Sequence, residues 1–159
     1  MKRKVRNVFL GILFWIWSLT WGCLMTIPGL LITAFCIIFL KGKPHKNGFS
    51  YIVEIGGNWG GLELGAVALC GNYSDTYSSF YNHTRCHEGG HNIQQLILGP
   101  LQAFIVGIPS AARYWYIRKH PEKNIEYDQI WFEYTASKWG TSYVNWVEGT
   151  DYKYTFVRK

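Results

Sequence analysis

Charge is scarce in this chain. Only 16% of its 159 residues are Asp, Glu, Lys or Arg, and none lies between Val8 and Leu40. No basic stripe, zinc knuckle or RNA-binding signature occurs, which argues against nucleic acid as a partner. The glycine-rich stretch 56–61 lacks a following Gly-Lys-Ser/Thr, so it does not read as a phosphate loop. The four cysteines show no C-x-x-C spacing. Reduced, buried thiols are therefore expected. No small-x-small cleavage site follows the apolar run, and the run is too long for a secretory signal peptide. The apolar block holds no charge that would mark an ion path, so a channel or transporter subunit ranks last among the readings.

Apolar and aromatic residues are what the chain has in quantity. Hydrophobic residues make up 48% and aromatic residues 18%, with eight Trp and eleven Tyr. That balance suits a chain partly solvated by lipid. The length suits a single domain, 1–159. The net charge of +6 comes largely from clusters beside apolar segments: Lys2, Arg3, Lys4 and Arg6 before the first, Lys41, Lys43 and Lys46 after it. As one helix, residues 8–40 would run roughly 50 Å against a hydrocarbon core of about 30 Å. Thr26-Ile27-Pro28-Gly29 predicts a break near the middle. Two helices, about 8–25 and 29–40, would then form an apolar membrane hairpin, fully crossing or re-entrant. Basic residues on both flanks put both ends on the cytoplasmic side.

Beyond it, Ser50–Ile55 and Leu62–Leu69 read as strands around a glycine turn, giving a β-hairpin over 50–69. Its edge could take an extended peptide by strand addition. A helix is expected over 81–98, stopped by Gly99-Pro100. The apolar segment 101–112 is too short for a confident span, and reads as a core helix or a dip into the membrane and back. A further helix is expected over 130–144, with Ile130, Phe132, Glu133, Ala136, Ser137 and Gly140 on one face. The tail from Tyr143 reads as a closing hairpin.

The chemistry sits in His87-Glu88-Gly89-Gly90-His91. This is H-E-x-x-H, the spacing that lets two imidazoles one helical turn apart hold one zinc ion. Glu88 flanks that face and is placed to take a proton from water as general base. A catalytic zinc site needs a third protein ligand and an open position. His83 lies a turn too far along the axis, and Cys86 points off the face. Glu122, Glu126 and Asp128 fall in a polar loop and read as solvated charges. Glu133 stands among Trp131, Phe132 and Tyr134, where an unpaired carboxylate is costly and a metal would pair it. His87, His91 and Glu133 are therefore the expected metal ligands. Gln94 shares the face one turn beyond His91, in position to orient a ligand or substrate.

Glu133-Tyr134-Thr135-Ala136-Ser137 resembles the Glu-x-x-Ala-Asp helix of the gluzincin membrane metallopeptidases, the HtpX heat-shock and CAAX prenyl endopeptidase types. The resemblance implies Glu133 as third zinc ligand and a hydrogen-bonding role toward a ligand histidine for residue 137. Here that residue is Ser137, which supplies no charge. The chain is more closely similar along nearly its whole length to small uncharacterised bacterial membrane proteins with an H-E-x-G-H-x-x-Q helix. Their pattern matches His87, Glu88, Gly90, His91 and Gln94; Gly99, Pro100 and Leu101; Gly107–Ser110; and Glu133, Ala136 and Gly140.

The expected protein is mainly α, a membrane-anchored minimal zincin with an N-terminal apolar hairpin and a small β-hairpin. It would be a zinc metalloendopeptidase of the bacterial inner membrane, its active site facing the cytoplasm. Its partners would be the lipid bilayer and a peptide or membrane-protein substrate. The competing reading is a non-catalytic membrane protein with a structural zinc site. A structural site has no need of Glu88 beside the first histidine, which favours the enzyme.

Overall fold

A computed structural model describes residues 2–57, 59–71 and 79–153. The molecule is mainly helical and carries one small mixed sheet. In chain order it comprises α1 (Lys2–Thr20), α2 (Cys23–Phe39), β1 (Lys43–Asn47), β2 (Ser50–Glu54), β3 (Gly61–Leu64), β4 (Val67–Cys70), α3 (Ser79–Leu98), α4 (Ile108–Lys119) and α5 (Trp131–Glu148).

The apolar block breaks at Trp21–Gly22, not at Thr26–Gly29, and α2 runs on through Pro28. Packing decides the break. A side chain at Gly22 would have to displace the Gln95 amide of α3 and would stand 3.0 Å from Ser18 O. The two helices meet in an elbow of 102° and do not form an antiparallel hairpin. Two indoles of α1 anchor it: Trp15 Nε1 donates to Phe49 O at 3.0 Å and Trp17 Nε1 to Leu96 O at 2.8 Å. The inner face of α2 is small and polar, with Thr26, Gly29, Thr33 and Cys36 buried. Its outer face shows Leu31, Phe35, Ile38 and Phe39.

The sheet corrects the expected hairpin over 50–69. Its order is β1-β2-β4-β3. β1 and β2 form one antiparallel hairpin, β3 and β4 another, and β2 joins β4 in parallel. Residues 62–69 are thus two strands, because Gly65 turns the chain at φ 78°. The glycine stretch carries the chain across to the far edge. β4 is buried along its whole length, which explains its unbroken apolar Val67-Ala68-Leu69-Cys70. β3 is left as an edge strand.

Helices α3 and α5 form the heart of the molecule. Cβ atoms at Gly90 and Gly140 would run into the backbone of Ala136 and Cys86, so the pair cross almost backbone to backbone. The helix-weakening glycine at position 90 is the condition of that approach. Gly99, at φ 54°, ends α3 against the Trp21 ring. A 3₁₀ turn (Gly99–Leu101) and a π turn (Ala103–Gly107) lead into α4 at 114° to α3. α4 buries none of its residues and exposes Ile108, Trp115 and Tyr116. The segment 101–112 is buried only at Gln102 and Val106, ahead of α4.

α5 continues through Glu148 to a left-handed Gly149, so the residues from Tyr143 to Glu148 are helical and not part of a hairpin. The end of that expected hairpin, 154–159, lies outside the described residues. Arg85 of α3 pairs with Glu148 at 2.5 Å, and the same carboxylate accepts from Gly48 N at 2.8 Å. This ties both helices to the β1–β2 turn. Among the described residues no single helix is long and apolar enough to cross a membrane. Two bent pairs, 4–20 with 23–39 and 80–101 with 103–119, are so together by length and composition.

Candidate metal centre

The α3–α5 crossing brings His87, His91 and Glu133 together, all buried. Their facing atoms form a triangle. His87 Nε2 and His91 Nε2 lie 3.1 Å apart, and Glu133 Oε2 is 3.0 Å from the first and 3.3 Å from the second. A tetrahedral ion with bonds of 2.0–2.1 Å holds its ligand atoms about 3.3 Å apart. The group could hold a metal ion.

The surrounding hydrogen bonds decide which ring nitrogens carry hydrogen. Gln94 Nε2 donates to Phe132 O at 2.6 Å and to Thr135 Oγ1 at 2.9 Å. Its Oε1 is thereby turned to His91 Nδ1, 2.8 Å away, which must donate. Ser137 Oγ donates to Asp128 Oδ2 at 2.9 Å and lies 2.7 Å from His87 Nδ1. That nitrogen must donate too. Both Nε2 lone pairs are then aimed at each other and at an acceptor-only carboxylate. Three converging lone pairs repel, and a cation at their centre removes the conflict.

Without a metal, a proton takes that place. Burial works against charge on His91, but the hydrogen bond to Glu133 and the charges of Glu88, Glu133 and Glu63 together outweigh it and push the imidazole up to about 9. Burial likewise opposes charge on Glu133, yet the two imidazoles hold its carboxyl well below the usual range. The cluster is built around positive charge.

Glu88 is buried and faces a cavity of about 640 Å³ together with His87 and His91. Burial raises its carboxyl above the ordinary value; His87 and His91 oppose the rise, and Glu133 adds to it. Gly61 of β3 makes room for it, since a Cβ there would stand 2.6 Å from Glu88 Cδ. His83 borders the same cavity but is outside the triangle, and burial, with His87 beside it, lowers its pKa. Cys86 is a buried thiol packed against Tyr143 and Val144.

Three residues of the site were not singled out from the sequence. Asp128 read as a solvated loop charge, yet the short turn Tyr127–Gln129 carries it to Ser137. A carboxylate from another segment thus supports His87 through the Ser137 hydroxyl. Tyr127 borders the cavity with its ring 6.0 Å from that of His87. Glu63, buried on β3, is the third. A lone carboxylate in Leu-Glu-Leu was its signal, by the same argument that selected Glu133. Comparison with protein-family models, curated proteins and solved structures finds no match, so the geometry of the site alone bears on function.

Proposed function

We propose that this chain is a membrane-bound zinc metallopeptidase, kin to the gluzincin membrane peptidases, that hydrolyses peptide bonds in unfolded or membrane-associated segments. The observation that carries the reading is the triangle of uncommitted lone pairs on His87, His91 and Glu133, with Glu88 beside it at a cavity. Two imidazoles and a carboxylate suit zinc, and three protein ligands leave a position open. Zinc bound there would polarise the scissile carbonyl and make water more acidic. Glu88 takes the proton of the attacking water and delivers it to the leaving amine. Its raised pKa moves it toward the range where a group can do both. Gln94 and the Asp128–Ser137 pair fix the two imidazoles. Tyr127, whose hydroxyl meets Ser110 Oγ at 2.6 Å beside the cavity, is our candidate donor to negative charge developing on the carbonyl oxygen. The test is cleavage of unfolded casein by detergent-purified, zinc-loaded protein, abolished by a chelator. Tight zinc with no cleavage across a broad peptide library would favour the structural-staple reading instead.

The same reading sets a pH dependence. Below about pH 9 a proton sits on His91 in the metal-free cluster, and uptake of zinc must displace it. Apparent zinc affinity is therefore expected to rise about tenfold per pH unit from pH 6 and to level off near pH 9. Calorimetry in buffers of different ionisation enthalpy should show about one proton released near neutral pH.

Membrane attachment is supported by α2, whose buried face is small and polar while its large apolar residues point outward. That is the inverse of a soluble helix and suits a lipid-facing one. We place the α1–α2 elbow in the bilayer of the bacterial inner membrane, with the metal centre on the cytoplasmic side. Single cysteines at Lys43 and Lys119 should both resist an impermeant reagent in intact cells and react after permeabilisation. Opposite accessibility of the two would overturn this arrangement.

A further inference from the structure

We infer that Glu63 and Gln102 form a subsite for a primary ammonium group of the substrate, beside the bond that is cut. The inference rests on the peptidase reading and extends it. Glu63 projects from the edge strand β3 and is 7% exposed; Gln102 is 1% exposed. Both border the same cavity as Glu88 and His91. Hydrogen bonds from Gly65 and Gln102 reach the Glu63 carboxyl, but its Oε1 has no partner, and neither has Gln102 Oε1. Two residues that border one cavity thus each bury an acceptor oxygen that has no donor. Leaving such groups unmet is costly.

Gln102 is the one polar side chain between Leu101 and Ile108; it hydrogen-bonds the Glu63 carboxyl and makes a long 3.5 Å approach to His91 O. It immediately precedes the π turn Ala103–Gly107, an irregularity that often re-aims side chains at functional sites.

The missing donor should be a cation. Glu63 and Glu88 both face the cavity, and among the described residues no Lys or Arg lines it. The metal cannot serve both places. Among the described residues His87, His91 and Glu133 are the one group of three whose ligand atoms all lie within 4.8 Å of one another. An ammonium carries three donors on a compact charge, which suits two bare oxygens close to apolar walls such as Leu62, Val106 and Trp115. Burial pushes Glu63 up to about 8, with His91 opposing the rise and Glu88 adding to it. An arriving ammonium would add counter-charge at the two carboxyls.

The ammonium could be a free peptide N-terminus or a lysine side chain. The test begins with n-hexylamine against n-hexanol, which share an apolar body. Binding to full-length, detergent-solubilised protein is followed by calorimetry, with zinc and after chelation. The amine should bind about tenfold or more tightly than the alcohol in both states. Glu63→Gln and, separately, Gln102→Leu should shrink that preference; the second variant decides if the first does not fold. Equal binding of amine and alcohol to wild type, or an undiminished preference in Glu63→Gln, would overturn the subsite. The chelated arm separates this from the metal reading. A preference that persists in protein unable to hold zinc keeps the subsite and discards the zinc centre. One apolar pentapeptide, offered free, N-acetylated, and N-acetylated with an internal lysine, then identifies the source on Glu88→Gln protein. Loss on acetylation points to the α-amino group, and recovery with lysine points to the side chain.

Discussion

Glu88→Gln is expected to keep its zinc and to lose hydrolysis by roughly 10²–10⁴-fold, the usual cost of removing a general base. The amide is nearly isosteric. It fits the space that Gly61 leaves and can still accept a hydrogen bond through its oxygen. It cannot accept a proton from water at neutral pH. Folding and the two imidazoles should therefore survive, and metal content measured beside activity separates the two effects. Equal cleavage of casein by wild type and variant would mean that Glu88 is not the base, or that the activity comes from a contaminant.

Glu133→Ala should lower zinc affinity by more than the roughly 10–100-fold typical of losing an outer hydrogen-bond partner of a ligand. It removes the only carboxylate in the triangle and leaves two neutral imidazoles to face a dication. It also removes the hydrogen bond and one of the charges that raise His91. Burial then weighs more on that imidazole and lowers its pKa, so the rise of zinc affinity with pH should stop at a lower pH than in wild type. Glu133→Gln keeps the volume of this fully buried side chain and controls for folding. Full zinc occupancy in both variants would discard Glu133 as a ligand.

Much of the site is legible because its chemistry is local. His87 and His91 are one helical turn apart, and that period alone puts both imidazoles on one face with Glu88 beside them. Glu133 stands out because a carboxylate among aromatics needs a partner. Gly89 and Gly90 both suggest a close approach to the helix, and only packing shows that Gly90 is the one that meets Ala136. Asp128 is different. Nothing in a polar loop announces that its carboxylate will meet Ser137, since the encounter depends on how the Tyr127–Gln129 turn enters α5. Without that contact Ser137 reads as a lost charge; with it, the charge is relayed.

The fold divides along the same line. Helix-scale patterns depend on neighbours in sequence, so the apolar block, the α3 stop at Gly99 and the buried face of α5 could be read directly. Strand pairing depends on residues far apart. The 62–69 segment looks like one strand until Gly65 turns it, and only packing places β4 parallel to β2 with β3 outside. The elbow at Gly22 likewise follows from Gln95 pressing against it from α3, while Pro28, the obvious local breaker, is carried within a helix. Local pattern was enough to read the two imidazoles and the carboxylate that could hold an ion, and the apolar character of the N-terminal block. Tertiary structure alone decided how the two helices cross, which distant carboxylate supports His87, and which buried oxygens are left facing the cavity. Those outcomes are contacts between segments, and their energies come from packing and hydrogen bonding that no local period encodes.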